Sequence, residues 1–268
     1  MPKNQFRMLR SALTGVEAVM AETHHSFGRH THEQFGIGLI SAGAQKSLSG
    51  RGMVEAEAGD IITVNPNEVH DGAPIGEGRS WRILYFDPEI VAGLSREIAE
   101  GGAGRQEIPY PVIRNRAIAA RFEKLFGTVT GGGAAGGLLS EELLLQLVAD
   151  VMRERGGSRE RPPVPASIRA ARDLIDDDPL AAVSLADLAR ESGLSRFQVL
   201  RGFAKATGLT PHAYLVQARI HLARRLIARG MPLAEAAFAS GFADQSHMTR
   251  VFVRKYGLSP RLYAGAFF

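Results

Sequence analysis

The sequence predicts an α+β chain of two domains: an antiparallel β domain with a helical appendage, followed by an all-α domain. Three observations predict it. Short runs rich in β-branched and aromatic residues recur between Gly, Pro and Asn along the front of the chain. The stretch Gly156–Pro165 (GGSRERPPVP) combines flexible glycines, wet charges and helix-forbidding prolines, so it reads as a linker. Beyond it, apolar residues recur at helical spacing in a segment that repeats itself. The expected boundaries are a β domain over 1–112, a helical hairpin over 113–155, a linker over 156–165 and a helical domain over 166–268.

At 268 residues the chain can bury two ordinary cores. It has no cysteine, which rules out disulfides and thiolate metal sites and fits a reducing compartment. Lys3, Arg7 and Arg10 are not followed by an apolar segment, and no run approaches the roughly 20 apolar residues of a membrane span. A cytoplasmic protein with no membrane partner is expected. The net charge of +4 is unevenly placed. From Ala166 onward there are 14 Lys/Arg against 8 Asp/Glu, while residues 1–165 carry 18 against 20. A basic rear behind a mildly acidic front suits a polyanionic partner, although many basic surfaces are only solvated.

Along the front, strands are expected at Phe35–Ile40, Gln45–Leu48, Met53–Glu57, Asp60–Val64 and Trp81–Phe86, a rhythm suited to a sandwich or a barrel. Ile118, Phe122, Leu125 and Phe126 then share one helical face. After a glycine-rich turn at Gly131–Gly137, Leu138–Arg153 makes a second, leucine-rich helix with acidic residues at its start and arginine at its end. This pair either packs only on its own β domain or also carries a dimer interface.

The rear holds an internal duplication. Ser184–Tyr214 (SLADLARESGLSRFQVL…GLTPHAY) aligns with Pro232–Tyr263 (PLAEAAFASGFADQSHMTRVF…GLSPRLY) after one residue of slippage in the turn. In the first copy Ser184 caps a short helix, Gly193 takes the positive φ that ends it, and Leu194 plugs the gap between helices. Ser195 caps a second helix with Val199 and Phe203 inside. In the second copy Ala237, Gly241, Phe242, Asp244, Met248 and Phe252 repeat the plan. Two short helices about a tight glycine turn form a helix-turn-helix, whose second helix enters the major groove of DNA.

Arg196, Phe197, Leu200, Arg201 and Lys205 of the first copy are expected to face outward to double-stranded DNA. So are Gln245, Ser246, Thr249, Arg250 and Arg254 of the second. Arg forks to guanine and Gln to adenine at about 1–3 kcal/mol of discrimination each, while Phe and Leu touch only thymine methyls or sugars. Phosphate contact is the alternative for Arg201 and Arg250. A connecting helix at Pro211–Ala228 spans roughly 27 Å, against the roughly 34 Å turn of DNA. Its Arg224, Arg225 and Arg229 are placed on the exposed side, as phosphate contacts or a solvated face.

From Ile168 to Ala264 the chain resembles the DNA-binding domain of the AraC/XylS family, through the second-copy signature GFxDQSHMTRxFxRxxGLSPxxY and the closing Pro260 and Tyr263. Leu200 departs from the family, standing where many relatives are polar. The resemblance implies transcription control, usually activation at promoter-proximal sites, and hence RNA polymerase as a partner, a small-molecule effector and a homodimer. Residues 15–90 resemble the cupin barrel that such regulators use as a sensor, through His30-Thr31-His32, Gly59-Asp60 leading to Pro66, and His70.

His30, His32, His70, Trp81, Arg82 and Tyr85 are the candidate effector contacts, with Arg82 a partner for an anion or a rim charge. Three imidazoles can bind a metal. Metal-dependent cupin enzymes, however, add a carboxylate a few residues after the second histidine, and Glu33 falls on the opposite face of the strand. No catalytic residues, metal or cofactor are therefore expected. The competing reading is a cupin metalloenzyme fused to a DNA-binding module.

Overall fold

The computed structural model describes residues 5–50, 52–99, 106–131, 137–153 and 164–267. Most of the Gly131–Gly137 turn and of the Gly156–Pro165 linker lies outside them. By contacts the chain divides into two compact units, residues 1–27 with 31–159, and residues 28–30 with 160–268.

The front is one sheet of eight strands: β1 (Gln5–Leu9), β2 (Val16–Thr23), β3 (Phe27–His30), β4 (Phe35–Ser49), β5 (Gly52–Glu57), β6 (Ile61–Val64), β7 (His70–Phe86) and β8 (Val112–Ile113). The order is β1-β2-β7-β4-β6-β8, with β3 on β7 and β5 on β4. The ladders of β7 with β2 and β4 are antiparallel, as are those of β4 with β5 and β6. Side chains alternate between the two faces. One face carries Val16, Ala18, Phe35, Ile37, Leu39, Leu84 and Phe86. Helices α2 (Arg116–Thr130) and α3 (Leu138–Arg153) cover it, through Ile118, Phe122, Leu125, Leu144 and Leu147 among others. The helical pair thus packs on its own sheet, and Leu138 and Leu139 stay exposed.

The other face carries Ala21, Ile40, Arg79, Trp81, Ile83 and Tyr85. Gly36 and Gly38 leave it bare so that Val64, Ile83 and Tyr85 can close in: a Cβ on Gly36 would lie 2.6 Å from Val64 and 3.2 Å from Ile83. Two sequence expectations change here. Phe35–Ile40 and Gln45–Leu48 form one long strand, continuous through irregular register at Ile40/Ala42 and Gly43/Ala44. Trp81–Phe86 extends back to His70, despite four glycines and prolines. β1, β2 and the helix α1 (Pro88–Ile98), which starts with proline in its first turn, add to the expected elements.

The rear is all helix: α4 (Ala166–Asp177), α5 (Leu185–Ser192), α6 (Arg196–Thr207), α7 (Pro211–Ala228), α8 (Leu233–Ala239), α9 (Gln245–Tyr256) and α10 (Pro260–Ala264). Ile168, Ala171 and Ile175 of α4 close the first core over Leu188, Val199 and Phe203. No described helix is long and apolar enough to cross a membrane.

Candidate nucleic-acid interface and effector site

Each half of the duplication is fixed by local chemistry. Ser184 accepts from the backbone of Asp187 at 3.2 Å, and Asp187 accepts from the backbone of Ser184 at 3.0 Å, so two donors that α5 would orphan are satisfied reciprocally. The Ser184 hydroxyl, which also donates to the Asp187 carboxylate at 2.5 Å, together with the Ser184 backbone N–H and Arg190, holds that carboxyl down to about 2. Gly193 ends α5 at φ 66°, a left-handed conformation that costs a Cβ-bearing residue dearly. Ser195 and Gln198 form a second capping box at the start of α6. In the second copy Gly241 takes φ 77°, and Asp244 caps α9 by accepting from the backbone of His247 at 2.6 Å. Both α6 and α9 end at a left-handed glycine, Gly208 and Gly257. A Thr210-Pro211 or Ser259-Pro260 start follows each of them.

Burial sorts the two copies alike. Val199 and Phe203 are fully buried in α6, as are Met248 and Phe252 in α9. Arg196, Phe197, Leu200, Arg201 and Lys205 are exposed, as are Gln245, Ser246, Arg250 and Arg254, while Thr249 is half-buried. Phe197 is 65% exposed, with the Arg201 guanidinium 5.6 Å above its ring, so the two form one surface feature one turn apart on the helix.

Between the copies α7 buries Ile220, Ala223 and Ile227. Its Arg224 corrects the sequence expectation. The side chain is buried, its guanidinium 4.9 Å from the Tyr256 ring and 5.0 Å from Tyr263, so this cation is an internal strut. Only Arg225 and Arg229 of that trio are exposed. Sequence reasoning passed over Arg219, which donates to the carbonyls of Pro179 at 2.8 Å and Gly241 at 3.0 Å and so ties the second glycine turn to the α4–α5 connection. Its only sequence trace is a lone arginine near mid-helix.

On the sheet, His32 stacks with His70 at 5.2 Å and with Tyr85 at 4.6 Å. Ring nitrogens of His30, His32 and His70 lie within 4.8 Å of one another, and no carboxylate belongs to that group among the described residues. The loop before His70 orders the cluster. Asn67, at φ 58°, donates its backbone N–H to His32 O, and His70 Nδ1 meets Glu68 O at 2.9 Å. Burial pushes the His70 pKa down, which keeps the ring neutral.

Trp81 and Tyr85 share this face, but Arg82 does not. It points to the helical side, where it pairs with Glu123 at 3.8 Å. The strand period of two separates them: Arg82 is odd man out between Trp81 and Ile83. Arg79, which sequence reasoning missed, does lie on the Trp81 face.

Residues 14–148 match the AraC-like ligand binding domain, and residues 188–266 match a helix-turn-helix domain. A Bacillus subtilis protein named uncharacterized HTH-type transcriptional regulator YbfI is 29% identical over 83% of this chain and 81% of its own. The arabinose operon regulatory protein of Escherichia coli is 25% identical over 80% and 77%. Among solved structures, an apo ToxT variant from Vibrio cholerae superposes with a TM-score of 0.62 at 16% identity, covering 97% of this chain and all of that one. ToxT bound to an unsaturated fatty acid gives 0.58 at 15% identity, covering 98% and 97%. With a ligand-binding domain matched over half its length and a tandem helix-turn-helix behind it, the chain belongs to the AraC family of transcription regulators.

Proposed function

We propose that this regulator is a ligand-responsive activator that reads two successive major grooves with α6 and α9. The carrying observation is the outward set on each reading helix: Arg196, Phe197, Leu200, Arg201 and Lys205 on one, Gln245, Ser246, Thr249, Arg250 and Arg254 on the other. A side-chain cap, Ser195 or Asp244, and a preceding glycine turn fix each set. Nine of these ten side chains are exposed and Thr249 is half-buried, and both helices pack on the same rod, α7. Arg201, Arg250 and Gln245 are the base readers, while Lys205 and Arg254 contact phosphate.

The β domain takes a small organic effector against His30, His32, His70, Trp81 and Tyr85. The fatty acid bound by ToxT supports an organic ligand for a chain of this fold. The regulator works in the cytoplasm as a homodimer and engages RNA polymerase. A helical hairpin with exposed Leu138 and Leu139 supports the pairing of two copies.

Selection of binding sites from random duplex DNA with the full chain, followed by fluorescence anisotropy, tests the reading. Arg250→Ala is expected to cost about 1–3 kcal/mol at one base pair of the selected site. Uniform weakening on all sequences would assign Arg250 to phosphate. Failure of the folded protein to bind any duplex at low salt would end the proposal.

A further inference from the structure

Arg79 is an unusual charge among the described residues. Its side chain is only 4% exposed, on the sheet face opposite the helices. One nitrogen, Nη2, donates to the carbonyl of Gly72 at 3.1 Å, whereas Nε and Nη1 are buried with no hydrogen-bond partner. No described carboxylate pairs with it. Burial lowers its pKa only to about 10, so it stays charged at neutral pH. A buried guanidinium with unmet donors is costly, and a native fold keeps one where something outside the chain completes it.

The surroundings indicate what completes it. The guanidinium lies 4.9 Å from the Trp81 ring and 5.9 Å from Phe27. Phe6, Phe27 and Trp81 meet edge to face at about 6 Å, forming an aromatic wall beside the charge, and each is only partly buried. His25 packs edge to face on the same phenyl ring, 4.8 Å from Phe27, its Nε2 likewise buried without a partner. Two orphaned nitrogen groups therefore converge on one phenyl ring. This place adjoins the histidine cluster, since Gly72, whose carbonyl accepts from Arg79, lies two residues after His70 on β7.

We propose that Arg79 anchors a subsite for an organic carboxylate whose flat, apolar body lies against Phe27 and Trp81. A carboxylate accepts two parallel bonds from the planar guanidinium fork and cancels its charge. The His25 ring nitrogen offers a further polar contact, and the aromatic wall rewards an apolar body where a free inorganic ion would gain nothing. The inference rests on the β domain being an effector sensor, and it names the class of effector.

Trp81 is the sole tryptophan of the chain, so its fluorescence reports directly on the subsite. Full-length protein is titrated with benzoate, phenylacetate, indole-3-acetate and hexanoate, each against its neutral amide, and with inorganic phosphate. At least one acid is expected to change Trp81 emission and raise the melting temperature, with its amide and phosphate silent. Arg79→Met is expected to weaken that response about tenfold or more, the loss of a charge-assisted bidentate contact. Relieved of an uncompensated charge, the variant should melt no lower than wild type without ligand.

Silence toward all four acids overturns the proposal, as does an amide or phosphate acting as well as the acid, or an Arg79→Met protein that responds unchanged. Should that variant not fold, the acid–amide comparison on wild type still decides. DNA binding measured on the same samples separates the two readings. A response to neutral metabolites alone sinks the carboxylate site and leaves the regulator, whereas acid binding by a protein that binds no duplex does the reverse.

Discussion

Gly193 and Gly241 occupy equivalent turns at nearly equal φ, yet their surroundings differ. A Cβ on Gly193 would meet nothing within 4 Å, whereas one on Gly241 would lie 3.0 Å from Arg219 Nε and 3.2 Å from Leu180. Gly193→Ala is therefore expected to cost about 1–2 kcal/mol, the left-handed backbone alone. Gly241→Ala should cost more, because it also disturbs the bonds from Arg219 to Pro179 and Gly241. Urea unfolding of both variants, followed by circular dichroism, checks the order; equal losses would mean that Arg219 gives way freely. The cap at α5 adds an acid limb. The Asp187 carboxyl is depressed to about 2 from an ordinary value of 3.8, so its contribution is complete above about pH 4 and fades as pH falls through about 2. An NMR titration of the Asp187 carboxyl should give that low midpoint, and Ser184→Ala should move it upward.

At the scale of elements, the rear helices were legible because their determinants are local. Ser184, Ser195 and Asp244 cap within three residues, glycines stop α5, α6 and α9, and Phe203 and Phe252 fall on a helical stripe. Phe203→Ala and Phe252→Ala should each cost about 3–5 kcal/mol and abolish DNA binding, whereas Ser195→Ala should cost about 1 kcal/mol and weaken it slightly. Thermal melts with binding assays would reveal a reversed ranking. The strands were less legible. Pairing partners of β7 lie far along the chain in β2 and β4, and glycines inside a strand look like breaks until the partner is seen. Arg224 was misplaced for a related reason. The helical wheel put it among outward arginines, and only the later Tyr256 and Tyr263 turn that side of α7 into an interior.

At the scale of the molecule, two units with different jobs let charge act where it is needed. Binding to duplex DNA should weaken steeply with salt, and removing Lys205 or Arg254 should lower the slope of log affinity against log salt by about one. An unchanged slope would mean that the removed charge faces solvent in the complex. The site on the sheet was only half visible beforehand. The histidines were expected from their spacing and do meet. Arg79 was not, because a single arginine between glycine and serine carries no signal until folding surrounds it with aromatic rings.

The outward positions of α6 and α9 have one more consequence. Because Arg196, Phe197, Leu200, Arg201, Gln245, Ser246 and Arg250 are exposed, exchanging them should change stability by no more than about 0.5 kcal/mol each. On the proposed reading, a lineage carrying this scaffold can therefore drift toward new operators one side chain at a time. The architecture tolerates a rewritten address without having to be rebuilt around it.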